Sequence, residues 1–160
     1  MRRTIVLLLL LAVAGTAFAA GSGSGGGGGM GSAGATPSIP TSAQDWYKVG
    51  YAASDAGKYQ EAISDFKNAI ALKPDYAEAY NMLGFCTRKL GNVDEAFTYY
   101  DKALELKPNF PEAREYYGEG YLQKGNLAKA VQQYIILEKS GNKNARELLE
   151  KIEEFVNQKS

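Results

Sequence analysis

Residues 77–110 read AEAYNMLGFCTRKLGNVDEAFTYYDKALELKPNF, and a weaker copy of this stretch lies on each side without a gap. Residues 43–76 precede it (AQDWYKVGYAASDAGKYQEAISDFKNAIALKPDY), and residues 111–144 follow it (PEAREYYGEGYLQKGNLAKAVQQYIILEKSGNKN). Gly50, Gly84 and Gly118 align, as do Gly57, Gly91 and Gly125. So do Ala62, Ala96 and Ala130, and the aromatics Phe66, Tyr100 and Tyr134. Pro74 and Pro108 align, with Asn142 in the third copy. A fixed period of this length is the mark of a stacked-repeat architecture, in which each unit buries its apolar face only against its neighbours.

Within each copy the pattern predicts two antiparallel helices, A and B. In the middle copy Asp75 and Glu78 have the spacing of a capping box, which places helix A over about residues 76–90. Gly91 is the residue that takes the left-handed conformation at its end. Asn92 and Glu95 repeat the capping spacing for helix B, which carries Val93, Ala96, Phe97, Tyr100, Ala103 and Leu104 at helical period. Pro108 stops it, because proline lacks the N–H and clashes with the preceding turn. Gly84 and Ala96 are expected where the two helices cross closely, with the Tyr100 ring filling the space beside them.

Outward from the repeats the composition changes. Residues 1–20 have the form of a secretory signal: Arg2 and Arg3, an apolar run at residues 5–14, and the small-x-small site Ala17-Phe18-Ala19. The expected fate is cleavage after Ala19 and export to a bacterial periplasm. The alternative is an uncleaved anchor, although the run is short against the ~20 residues that span a bilayer. Residues 21–41 read as a linker, since nine of the fourteen residues 21–34 are glycine. A G-x-G-x-x-G match inside that run has no strand before it and no helix after it, and carries no meaning. The folded domain is expected over residues 42–158. After the third repeat Asn144 and Glu147 are spaced to cap a further helix over residues 145–157, with Leu148, Leu149, Ile152, Phe155 and Val156 on its apolar face. It reads as a lid on the last repeat or as a docking helix for a partner.

The chemistry of the side chains narrows the function. There is no histidine, a single cysteine (Cys86), and a balance of 18 basic and 18 acidic residues. Without histidine the commonest metal ligand and general base is missing. One cysteine makes neither an internal disulfide nor a zinc site. We expect no catalytic residues, no metal and no cofactor, and Cys86 as a small packing residue. A neutral balance without a basic stripe argues against a nucleic-acid partner.

The chain resembles the tetratricopeptide repeat (TPR) family. The first copy supplies Trp46, Val49, Gly50, Ala62, Phe66, Ala69 and Pro74 to the family pattern, and the second supplies Tyr80, Leu83, Gly84, Ala96, Tyr100, Ala103 and Pro108. The third supplies Tyr117, Gly118, Tyr121, Ala130 and Tyr134 but departs at Arg114, Leu137 and Asn142. The resemblance implies an all-α fold: a right-handed α-solenoid of three helix-turn-helix units plus a C-terminal capping helix. It also implies a concave groove for a peptide or helix of a partner protein, lined by the second, fifth, ninth, twelfth and thirteenth residues of each repeat. Those positions hold Gln44, Tyr47, Tyr51, Ser54 and Asp55, then Glu78, Asn81, Phe85, Arg88 and Lys89, then Glu112, Glu115, Glu119, Leu122 and Gln123. The expected groove thus has an aromatic stripe (Tyr47, Tyr51, Phe85), the polar Asn81, Arg88 and Lys89, and an acidic wall (Glu112, Glu115, Glu119). Tyr51 and Phe85 are equally readable as packing between repeats, and the glutamates as a solvated face. Where chaperone-tail binders of the family carry Lys and Asn to clamp a terminal carboxylate, this chain has Tyr47, Tyr51, Met82, Glu112 and Tyr116. The function so implied is a non-catalytic, exported adaptor or scaffold, or alternatively a structural protein that assembles with copies of itself through the same groove.

Overall fold

The computed structural model describes residues 39–159. The expected signal sequence and most of the expected linker lie outside the described residues. Seven α-helices follow one another: α1 (Ala43–Asp55), α2 (Tyr59–Leu72), α3 (Ala77–Lys89), α4 (Val93–Leu106), α5 (Pro111–Gln123), α6 (Leu127–Lys139) and α7 (Asn144–Asn157). They form three antiparallel pairs, α1/α2, α3/α4 and α5/α6, each packed on the next, with α7 against both helices of the last pair. No strand occurs among the described residues. The fold is the all-α stack of helix pairs that the period implies.

The turn inside each pair is set by one glycine. Gly57, Gly91 and Gly125 have φ of +74°, +91° and +75°, a left-handed conformation that costs an L-residue about 1–2 kcal/mol. Gly141, with φ +66°, makes the same turn between α6 and α7. The expected capping boxes, by contrast, do not form. Tyr76 occupies the N-cap of α3 without a side-chain cap, and Ala77 N–H donates to the Asp75 carbonyl instead. Glu78 accepts from Lys107 at 3.0 Å. Asn92 likewise makes no cap bond, and Glu95 accepts from the Tyr99 hydroxyl at 2.8 Å. At α7 the N-cap is Lys143, while Asn144 turns its side chain toward Glu115. At α3 and α4 tight connections satisfy the first N–H groups with backbone carbonyls, whereas at α7 the Asn144 N–H donates to Asn142 Oδ1 at 3.0 Å. In all three a side chain expected to cap (Glu78, Glu95, Asn144) finds its partner on another helix or the next turn instead. Side-chain caps do form at Ser42, which accepts from Asp45 N–H at 3.1 Å, and at Asn126, which accepts from Lys129 N–H at 3.1 Å.

Close helix crossing depends on the aligned small residues. A Cβ on Gly84 would lie 2.6 Å from Tyr100 Cε1 and 3.2 Å from the Ala96 carbonyl oxygen, and one on Gly50 would lie 3.0 Å from the Phe66 ring. The third repeat differs. The space over Gly118 is filled by Leu148 of α7, whose Cδ2 would meet such a Cβ at 2.5 Å, whereas Tyr134 is half-buried and donates its hydroxyl to Glu138 at 2.8 Å. An aromatic cluster joins the second repeat to the third, with Phe97 4.9 Å from Tyr117 and 4.6 Å from Tyr121 between ring centroids. The first core cluster (Ala62, Ile63, Phe66, Met82, Leu83, Cys86) ties repeat one to repeat two. The last (Leu122, Ala130, Leu137, Ala145, Leu148, Ile152) ties α7 to repeat three. Of the expected apolar face of α7, Leu148 and Ile152 are buried, Leu149 and Phe155 half-buried, and Val156 exposed.

Candidate binding groove

Helix A of each repeat carries the next candidate side chain along one side of the stack, because α3 touches both α1 and α5. Between them lies a cleft of about 250 Å³ lined by Tyr51, Ser54 and Asp55 of α1, Tyr59 of α2, Met82, Phe85 and Lys89 of α3, and Tyr116 of α5. Tyr51 stands at its rim, 52% exposed. Phe85 lies centrally and half-buried, 5.0 Å from the Tyr116 ring and 6.1 Å from Tyr59, which meets it edge-on. The ammonium of exposed Lys89 sits 5.3 Å from the Phe85 ring, a cation–π contact that leaves the charge in solvent. The cleft therefore offers four aromatic rings, three of them phenols, one cation, one carboxylate (Asp55) and the Ser54 hydroxyl.

The other candidates are placed differently. Tyr47 does not line this cleft. Its ring packs 5.6 Å from Phe66 and 5.1 Å from Tyr76, and its hydroxyl is pushed up to about 12 by burial first, then by Tyr76 and Glu78. Asn81 is 3% exposed, and its Oδ1 has no hydrogen-bond partner among the described residues. Arg88 is also buried, at 6% exposed. It donates to Glu119 at 2.6 Å and from Nε to the Tyr100 hydroxyl at 3.4 Å. Burial works to lower its affinity for the proton, but Tyr100 and Glu119 outweigh that and raise it.

The expected acidic wall is three unlike groups. Glu112 is exposed. Glu119 is half-buried and engaged by Arg88. Glu115 is 7% exposed and accepts from the Asn144 amide. Burial, with the carboxylates of Glu147 and Glu119, raises the Glu115 carboxyl to about 7, against the opposing pull of Asn144.

Three lining residues fell outside the expected groove positions. Tyr59 opens helix B rather than A, and Met82 and Tyr116 each stand one place beyond the fifth residue of their repeats. The only sequence signal for the two tyrosines was an aromatic beside a turn or next to a groove position. Cys86 is fully buried, with its thiol donating to Ser54 Oγ at 3.4 Å. Burial raises the thiol, partly offset by Ser54. Among the described residues no group of three His, Cys, Asp or Glu could hold a metal ion, and no helix is long and apolar enough to cross a membrane.

Paired helices stacked in line, with an open aromatic cleft on one side, define a helical-repeat protein of the interaction-module class. Tetratricopeptide repeat profiles match residues 47–111 and 87–152, and the chain belongs to the tetratricopeptide repeat family. That fold is a non-catalytic module for protein interaction. Among solved structures, MamA is 35% identical with a TM-score of 0.56, over 69% of this chain and 60% of that one. This chain thus spans less than two thirds of the length of MamA. The first TPR of Spaghetti (RPAP3), bound to the HSP90 peptide SRMEEVD, is 21% identical with a TM-score of 0.63, over 72% and 93%. PcrH, in complex with the chaperone-binding region of PopD, is 22% identical with a TM-score of 0.64, over 73% and 92%. A search of curated protein sequences finds no match.

Proposed function

We propose that the domain binds a peptide or helix of a partner protein in the cleft across α1, α3 and α5, without catalysing a reaction on it. The observation that carries this reading is the half-open aromatic cleft, above all Tyr51, which is 52% exposed although it lies in a line of rings contributed by three helices of successive repeats. Apolar rings left in contact with water on a concave surface gain most from covering, and buried aromatic anchors dominate binding energy. RPAP3 and PcrH, which share the fold, each hold a segment of another protein. The ligand class differs from the HSP90 peptide, because Tyr47, Tyr51, Met82, Glu112 and Tyr116 stand where a carboxylate clamp would need Lys and Asn. With Glu115 and Glu119 engaged inside the domain, Phe85 and its neighbouring rings select for an apolar side chain rather than for a basic one.

The test is selection of peptides from a random library on the full chain, repeated on Phe85→Ala and Tyr51→Ala. Selected peptides are expected to share an aromatic or aliphatic anchor. Their affinity is expected to fall by about 30-fold on Phe85→Ala, the effect of losing a ~2 kcal/mol anchor. Unchanged affinity in both variants moves the working surface elsewhere. We further propose that the protein is exported, on the strength of Arg2, Arg3 and the apolar run at residues 5–14. Mass spectrometry of the protein from an envelope fraction should find an N-terminus at or near Ala20, and intact Met1 in the soluble cytoplasmic fraction would refute export.

A further inference from the structure

The third repeat departs from the other two at positions far apart along the chain, and the fold brings them to one place. Arg114 stands where the earlier copies have Trp46 and Tyr80, and Ile136 where they have Asn68 and Lys102. Leu137 replaces Ala69 and Ala103, and Asn142 replaces Pro74 and Pro108. All four line a cleft of about 310 Å³ between the start of α5 and the end of α6, which shares no residue with the aromatic cleft. Phe110 and Leu137 are buried beneath it, and Ile136 stands at its edge, 42% exposed. The change at Leu137 also serves α7, since Leu137 packs in one cluster with Ala145 and Leu148. In the second repeat Tyr80 packs with Ala103 and Phe110. The third repeat has a guanidinium in place of that ring.

The polar groups of the wall divide by kind. The acceptors at the end of α6 are taken. The Ile136 carbonyl accepts from the Ser140 N–H at 3.3 Å, and the Leu137 carbonyl accepts from the Asn142 N–H at 3.3 Å and the Ser140 hydroxyl at 2.7 Å. Asn142 Oδ1 accepts from the Asn144 N–H at 3.0 Å, which leaves the Asn142 amide nitrogen turned away from it. Donors remain. Arg114 donates from Nη2 to the Pro108 carbonyl at 3.0 Å, and the rest of its five N–H groups have no partner among the described residues. The lining holds that one charge and no carboxylate. Next in the chain to lining residues, Lys139 and Lys143 are exposed and form no ion pair among the described residues, against the exposed Glu112. Glu138 is bonded to the Tyr134 hydroxyl and Glu115 to the Asn144 amide.

We propose that this cleft is a second binding site, which takes an acidic segment of a partner protein. A Leu, Ile or Val side chain of the segment covers Phe110, Ile136 and Leu137, and a neighbouring Asp or Glu meets Arg114. Apolar burial supplies the first contact, and a carboxylate on a guanidinium forms a charge-assisted, two-pronged bond. The carboxylate belongs to a side chain rather than to a chain terminus. Termini are captured in nests of backbone N–H groups, whereas the N–H groups of Ser140, Gly141 and Asn142 all donate to carbonyls of α6. The site stands whether or not the aromatic cleft binds a peptide.

The probe is a set of short Gly/Ser peptides, blocked at both ends, in which Leu or Ile stands within three residues of a Glu. Binding to the full chain is followed by amide NMR. The best binder should shift the amides of Arg114, Ile136 and Asn142. Arg114→Gln should weaken it by at least about tenfold and Ile136→Ala by at least about fivefold, whereas Phe85→Ala should leave it unchanged. Glu→Gln in the peptide should cost about tenfold on the wild type and little on Arg114→Gln, the coupling expected of a direct pair. Shifts confined to the aromatic cleft, affinity indifferent to Glu→Gln, or no saturation by any member up to about 1 mM would each overturn the proposal. So would tighter binding of a peptide with a free terminal carboxylate and no Glu. A dimer in sedimentation velocity that Ile136→Ala dissociates would make the occupant a second copy and overturn it too. If either variant does not fold, the Glu→Gln comparison and the position of the shifts on the wild type decide the matter.

Discussion

A single methyl group on Gly84 would stand 2.6 Å from the ring of Tyr100, a side chain with no exposed surface into which it could move. Gly84→Ala is therefore expected to cost about 2–3 kcal/mol by overpacking. In a Tyr100→Leu background, where the ring is absent, the same change should cost much less, and urea midpoints of the four proteins measure the coupling. Gly57 has open space around it but φ of +74°, so Gly57→Ala should cost about 1 kcal/mol in either background. The glutamates divide just as sharply. Glu119→Ala strands the buried Arg88 guanidinium and is expected to cost about 3–5 kcal/mol. Glu112, which is exposed, should change stability by less than about 0.5 kcal/mol when made Ala. Equal losses from Glu119→Ala and Glu112→Ala would show that the Arg88–Glu119 pair contributes little.

At the scale of the element, α7 completes the third repeat rather than merely following it. Leu148 fills the space that Tyr100 fills in the second repeat and Phe66 in the first, and Ile152 joins Leu122, Ala130 and Leu137 in the same cluster. Burying Leu148 and Ile152 contributes ~1.5–3 kcal/mol each, a large share of a net stability of about 5–15 kcal/mol. A chain ending after Lys143 is expected to melt at a lower temperature and to lose exchange protection in α5 and α6 before α1 and α2. An unchanged melting curve would detach α7 from the stack.

Over the whole molecule, stability should follow the order of the stack, since each helix pair is held only by its neighbours. The middle repeat is covered on both sides, and α3 buries residues on most of its circumference, from Ala77 to Arg88. In α1 only Gly50 and Ser54 are buried. Amide exchange is accordingly expected to be slowest in α3 and fastest in α1, with opening of the first pair well below the global unfolding free energy. Faster exchange in α3 than in α1 would contradict a stack stabilised from neighbour to neighbour.

What the sequence by itself determined is everything that depends on spacing along the chain. Gly57, Gly91 and Gly125 mark the turns because only a residue without a side chain adopts their φ cheaply. The pairing of Gly50 with Phe66 and of Gly84 with Tyr100 follows from two helices of set length folded back on each other. What only the tertiary structure decided is which polar and aromatic groups were left over. Asp75 and Glu78 have the spacing of a cap, yet Lys107 claims Glu78. Glu115 and Glu119 look like neighbours on one acidic face, yet Asn144 takes the first and Arg88 the second. Tyr47 and Tyr51 share a helix face, yet one is drawn into the packing around Phe66 and the other stays at the rim of the cleft. A repeat period states where a side chain starts from its own helix. Its burial, its charge and its freedom to meet a ligand are set by residues from other helices, at distances along the chain that no local pattern reaches.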